Sequence, residues 1–123
     1  MSNPVKLLFI CSQNQWRSPT AEKIFEGFSG YCAKSAGTED GARIKVTAGL
    51  LGWADFIFVM ERRHTDRLRS KFGEALRQRK IICLDIPNDL TYRHPELIEL
   101  LKKRLSEYVD ALTSVLSSRT ANA

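Results

Sequence analysis

Between Val5 and Ile10 the chain is apolar except at Lys6, and the run stops abruptly at a polar stretch over residues 12–18. A short continuous apolar run of this kind predicts a strand buried on both faces of a parallel sheet. The period then changes. Ala21, Ile24, Phe25 and Phe28 recur at helical spacing, Pro19 suits the first turn of a helix, and Ser18 is a good cap before it. Glu22 adds favourable charge near that amino end, Gly27 weakens the helix, and Ser29-Gly30 ends it. Strands are expected again over residues 31–36, 55–60 (DFIFVM) and 80–84. Residues 37–43 read as a loop, 44–52 as a short helix or turn, and 62–72 as a helix with Leu68 and Phe72 four apart. A polar turn with Pro87, Asn88 and Asp89 leads to Pro95, which opens the longest helix. Its apolar stripe is Leu97, Ile98, Leu101, Leu105, Tyr108, Val109, Leu112 and Leu116. The tail after Ser117 is expected to fray.

Strands alternating with helices predict an α/β fold: an open parallel sheet of about four strands with helices on both faces. Such sheets bind ligands outside the carboxyl ends of their strands. Cys11 stands at one such end, and residues 85–89 follow another, so the two segments are expected to meet across one site. There is no internal repeat, low-complexity segment or linker, and the 123 residues read as a single domain.

A hydrophobic content of 43% with 27% charged residues argues against a disordered chain. No apolar run approaches membrane-spanning length, and the amino terminus enters a strand without a signal-peptide pattern. A cytoplasmic protein with no membrane partner is expected. The formal net charge of +5 fits either a solubilising surface or attraction of anionic substrates. The basic residues are spread along the chain, with one concentration at Arg62, Arg63, Arg67, Arg69, Lys71 and residues 77–80, a weak signal for nucleic acid.

Three cysteines, an odd number without a secretion signal, argue against a disulfide scaffold. There is no Cys-x-x-Cys pair. The two histidines lack metal-ligand spacing: His64 reads as a polar surface residue near a helix start and His94 as part of a helix entry. Cys32 and Cys83 have apolar or strand-like neighbours and are expected in the core. Cys11 is different. It ends a strand in a loop that feeds a helix amino terminus, where amides and the helix end supply partial positive charge. A thiol there is favoured as the thiolate and can act as a nucleophile. Arg17 can close over the same site and grip phosphate with two parallel hydrogen bonds. Backbone amides of Ser12, Gln13, Asn14, Gln15, Trp16 and Arg17 can form an anion nest. Asn14 can brace the loop, and Ser18 can donate a hydrogen bond to the thiolate. Trp16 reads either as a wall against an aromatic substrate or as a core or hinge contact.

Read as LLFI-CSQNQWRSPTAE, this segment resembles the signature of the low-molecular-weight protein tyrosine phosphatases, C-x-x-N-x-x-R-S-P-x-A-E, at Cys11, Asn14, Arg17, Ser18, Pro19, Ala21 and Glu22. Weaker matches are SAGT at residues 35–38 and WADFIFVM at 53–60, followed by ERRH. The resemblance, nearest to a compact bacterial-type branch, implies a flavodoxin-like sheet, a phosphocysteine intermediate on Cys11, phosphate binding by Arg17, and neither metal nor cofactor. Partners would be a phosphorylated protein or a small phosphomonoester, with inorganic phosphate as product or inhibitor. The chain departs from the family in three ways. The segment between SAGT and WADFIFVM is short, no second cysteine stands in the loop, and the acid is ambiguous. The family places an aspartate after the last strand, where this chain reads Asp85-Ile86-Pro87-Asn88-Asp89. An ungapped alignment puts Asn88 at the acid position, which favours Asp89, with Asp85 a second candidate. Tyr92 is placed either to stack on a substrate ring or on the surface.

Three functions compete. The leading one is hydrolysis of phosphotyrosine or a related phosphomonoester. Thioredoxin-coupled arsenate reduction would need two further mobile cysteines. A phosphate- or nucleic-acid-binding module without turnover would fit the basic charge and Asn88.

Overall fold

The structure, a computed structural model, describes residues 4–108. The chain runs β1 (Val5–Cys11), α1 (Arg17–Ile24), β2 (Tyr31–Gly37), α2 (Ala48–Trp53), β3 (Phe56–Val59), α3 (Arg62–Phe72), a 3-10 turn (Gly73–Leu76), β4 (Ile81–Cys83) and α4 (Pro95–Leu105). All strand pairs are parallel, in the order β2-β1-β3-β4. This is the flavodoxin-like arrangement, with the first strand inside and the chain winding outward on both sides.

Alternation along β1 sorts the core into two layers. Leu7, Phe9 and Cys11 face a cluster that takes Ala21 from α1 and Leu97, Leu101 and Leu105 from α4. Leu8 and Ile10 face the opposite cluster, with Leu51 of α2, Leu68 of α3 and Leu76 of the 3-10 turn. A strand covered on both sides has no polar face, which is why its sequence reads as a continuous apolar run. Phe9 stacks between Phe25 and Phe58, with ring centroids 5.7 and 5.4 Å away. Truncating it to alanine would cost about 3–5 kcal/mol.

The register aligns Cys11 with Gly37, and Ile10 with Val59, which pairs in turn with Cys83. The carboxyl ends of all four strands thus lie in one row. The loop after β1, the segment after β2, Glu61 after β3 and residues 84–89 after β4 gather along it.

Several elements differ from the sequence expectation. Ser18 does not cap α1; the helix starts at Arg17 behind Trp16, which makes no side-chain cap bond, and the Ser18 hydroxyl is engaged with Cys11 and Asn14 instead. Glu22 lies outside the first turn and accepts a hydrogen bond from Ser35 Oγ at 2.6 Å. The helix also ends early, at Ile24, in tight turns in which Phe25 N–H donates to the Glu22 carbonyl and Phe28 N–H to the Phe25 carbonyl. These turns seat Phe25 on Phe9 and the edge of Phe28 on Phe25. Cys32 is exposed, because β2 is an edge strand and residue 32 faces outward; Cys83 is half-buried. His94 caps α4 as expected, its Nδ1 accepting from Glu96 N–H at 3.1 Å. Val109, Leu112, Leu116 and the tail after Ser117 lie outside the described residues.

Candidate active site

The loop after β1 is held from behind, carbonyl by carbonyl. Thr38 N–H donates to Cys11 O, Glu39 N–H to Ser12 O and Arg43 N–H to Gln13 O, each at 3.0 Å. Arg43 Nε donates to Asn14 O at 3.0 Å. In a trans peptide the N–H opposes the C=O. Tying back four successive carbonyls therefore turns the amides of Ser12, Gln13, Asn14 and Gln15 to the other side, as an anion nest requires. Asn14 takes the left-handed conformation needed for the turn, φ 56°, which asparagine tolerates better than most residues.

Cys11 and Ser18 meet inside this loop, Sγ to Oγ at 3.0 Å, both buried. Asn14 Nδ2 donates to Ser18 Oγ at 2.8 Å. With its oxygen accepting from Asn14, the Ser18 hydroxyl has one hydrogen to give, and the Cys11 sulfur at 3.0 Å is a nearer acceptor than the Ala36 carbonyl at 3.4 Å.

Arg17 is almost wholly buried, at 2% exposure. Its Nη1 donates to the Glu61 carboxylate and, at 2.9 Å, to the Ile86 carbonyl. Glu61 follows β3 and Ile86 follows β4, so segments after two different strands fix one guanidinium. Nε and Nη2 have no protein partner among the described residues, and Arg17 lines the cavity described below. Arg63 and then Arg17 hold the Glu61 carboxyl down at about 2, against the upward push of burial. Glu61 therefore stays ionised and keeps the fork in place.

His64 corrects an expectation. It is fully buried, not a surface residue. Its Nδ1 accepts from Glu61 N–H at 3.0 Å and its Nε2 lies 3.0 Å from Ser12 Oγ. The position is third in α3, and the ring folds back over the helix start to complete a reciprocal cap with Glu61. Burial first, then the Arg17 and Arg63 guanidiniums, push its pKa down to about 4.

A cavity of about 190 Å³ opens above the loop, lined by Cys11, Ser12, Gln13, Gln15, Trp16, Arg17 and Asn88. Trp16 is 39% exposed and walls it. Asn88, not an aspartate, is the lining residue supplied by the segment after β4. Asp89 is exposed next to it and does not line the cavity. Asp85 is exposed with φ 53° and accepts from the Cys83 thiol at 3.4 Å. Tyr92 lines an adjoining cavity with Gln15, Pro19, Glu22, Lys23 and Arg43. Among the described residues, no three His, Cys, Asp or Glu side chains are grouped to hold a metal ion.

The structure places Cys11, Asn14, Arg17 and Ser18 close together, as expected from the sequence, and adds Glu61, His64, Gly37 and Arg43, which were not expected there. A signal existed for the first two. Glu61 stands just past a strand end, where sites of open sheets collect, and E-x-x-H there places His64 in the first turn of the next helix.

No family model and no curated protein matches the chain. Solved structures do match it. The YwlE arginine phosphatase from Geobacillus stearothermophilus is 20% identical with a TM-score of 0.66, the match covering 97% of each chain. The tyrosine phosphatase Wzb from Escherichia coli, in complex with phosphate, is 20% identical with a TM-score of 0.64, covering 84% of this chain and 94% of Wzb. The low molecular weight protein tyrosine phosphatase SP-PTP from Streptococcus pyogenes is 18% identical with a TM-score of 0.65, covering 85% of this chain and 93% of its own. At this identity the likeness establishes the fold.

Proposed function

We propose that the protein is a cysteine-dependent phosphomonoester hydrolase of the protein-tyrosine-phosphatase type. The observation that carries this reading is the buried Cys11–Ser18 contact at 3.0 Å, inside an amide-lined loop whose cavity Arg17 also lines. Arg17 and the loop amides bind the phosphoryl oxygens and stabilise the charge that develops on them. Cys11 Sγ attacks phosphorus, the S–P bond forms as the P–O bond to the alcohol breaks, and water then releases phosphate. Ser18 stabilises the sulfur as it departs. A fold relative supports a phosphoenzyme, since a YwlE mutant carries phosphate on an active-site serine. Wzb in complex with phosphate supports the oxyanion as ligand. Asp89, exposed beside Asn88 at the cavity edge, is assigned the leaving-group proton.

A second reading, a phosphate-binding module without turnover, is favoured by one observation, the asparagine at the cavity edge. Arsenate reduction through a disulfide relay is disfavoured. Cys83 packs with the core layer opposite that of Cys11, and Cys32 aligns with Lys6, five residues back along β1 from Cys11. That is about 16 Å along the strand, well beyond disulfide reach.

The test is turnover of p-nitrophenyl phosphate by the native protein and by Cys11→Ser. The phosphatase reading expects activity that Cys11→Ser abolishes. It also expects iodoacetate to modify buried Cys11 before exposed Cys32, with vanadate protecting. Phosphate binding without turnover would establish the second reading.

A further inference from the structure

Among the described residues, the proposed reaction leaves one buried titratable group without a task, His64 beneath the loop. Its hydrogen bonds define its proton. Glu61 N–H donates to Nδ1, so Nδ1 carries a lone pair. The ring is neutral at ordinary pH, because burial and the flanking guanidiniums disfavour the imidazolium. A neutral imidazole with a lone pair on Nδ1 carries its hydrogen on Nε2. Nε2–H therefore donates to Ser12 Oγ, 3.0 Å away. Ser12 Oγ is thereby an acceptor in this bond, and its single hydroxyl hydrogen must point elsewhere. Ser12 lines the cavity beside Cys11 and Arg17.

We infer that the Ser12 side chain is a substrate-contacting donor, its hydroxyl aimed at a phosphoryl oxygen in the cavity, and that His64 is the positioning residue that fixes this aim. The inference rests on reading the cavity as a phosphate site. It assigns Ser12 a role beyond its backbone amide. Because His64 donates into the hydroxyl, it also polarises the O–H and strengthens it as a donor. A serine free to rotate would spend part of its time donating to water. A serine whose acceptor side is occupied by a buried ring is set before the ligand arrives.

His64 also closes the helix start through Nδ1, and the two roles separate chemically. In His64→Asn the amide oxygen stands near Nδ1 and preserves the acceptor for Glu61 N–H but supplies no donor to Ser12. In His64→Gln the amide nitrogen reaches the Nε2 position and preserves that donor. The measurement is calorimetric binding of inorganic phosphate to the intact protein and to Ser12→Ala, His64→Asn, His64→Gln and Ser12→Ala/His64→Asn, with thermal unfolding of each. Ser12→Ala and His64→Asn are expected to weaken phosphate by roughly tenfold or more, the scale of a hydrogen bond to a charged group. The double variant should be no weaker than the weaker single, and His64→Gln should bind better than His64→Asn. The opposite order, with Asn preserved and Gln impaired, or additive losses in the double variant, would overturn the assignment. Unchanged binding in folded Ser12→Ala would overturn it without any histidine variant. Because phosphate binding needs no turnover, failure of the hydrolase reading in the Cys11→Ser assay leaves this test intact.

Discussion

Gly37 lies so close beneath Ser12 that a β-carbon at position 37 would sit 2.5 Å from the Ser12 carbonyl oxygen. The same atom would lie 2.6 Å from Ala42 Cβ and 3.0 Å from Asn14 N. Two of these three contacts are backbone, so no side-chain rotation relieves them. Gly37→Ala is expected to push the loop into the cavity. It should cost about 1–3 kcal/mol of stability, the scale of overpacking elsewhere, and weaken phosphate binding. Denaturant unfolding and calorimetry check both. Native stability with native phosphate affinity would contradict the packing.

Arg17→Lys keeps the charge but loses the planar fork. An ammonium cannot satisfy Glu61, the Ile86 carbonyl and two phosphoryl oxygens together. Turnover of an aryl phosphate should fall roughly a hundredfold or more, as when a transition-state donor is removed elsewhere. Near-native rates in a folded Arg17→Lys protein would show that Arg17 does not face the ligand.

Leaving-group protonation matters most when the departing oxygen is a poor leaving group. Asp89→Asn should therefore cost far more with phenyl phosphate than with p-nitrophenyl phosphate. Asp85→Asn should mainly affect stability, since its carboxylate faces the Cys83 thiol. Asn88→Asp puts a carboxyl directly on the cavity and should raise phenyl phosphate turnover. If neither aspartate matters and only Asn88→Asp hydrolyses phenyl phosphate, the native chain lacks a working acid.

His64 titrates near 6.5 when unperturbed and near 4 in the fold. Between those values the unfolded chain binds more protons than the native state. The stabilisation from the neutral ring is thus complete above about pH 6.5 and is lost as pH falls toward 4, on the order of 3 kcal/mol. Glu61 contributes in the same direction lower down, as pH drops from about 4.5 toward about 2. Denaturant midpoints at pH 7, 5.5 and 4.5 should decline in the native protein (assay conditions), and His64→Gln should flatten that decline.

The architecture was legible because the two central strands announce themselves by composition. Residues 7–11 of β1 and 57–59 of β3 are buried on both faces and hence continuously apolar. Helix limits were less legible. The early end of α1 depends on Phe25 finding Phe9, a contact between elements that no local pattern encodes. The same division holds at the site. Cys11, Asn14, Arg17 and Ser18 are close in sequence, and the chemistry of one loop revealed them. Glu61 reaches Arg17 across 44 positions and His64 reaches Ser12 across 52. His64 carried the polarity of a surface residue because its partners are supplied only by the folded chain.

The carbonyl-by-carbonyl anchoring of the loop by Thr38, Glu39 and Arg43 has a thermodynamic consequence. A loop whose backbone already holds its bound shape spends little conformational entropy on its ligand. In the proposed reaction most of the attraction between amides and oxyanion would then survive as affinity, and the dipoles would not need to reorient as charge builds in the transition state. The segment from Thr38 to Arg43 is short, but it works as a mould pressed against the back of the loop.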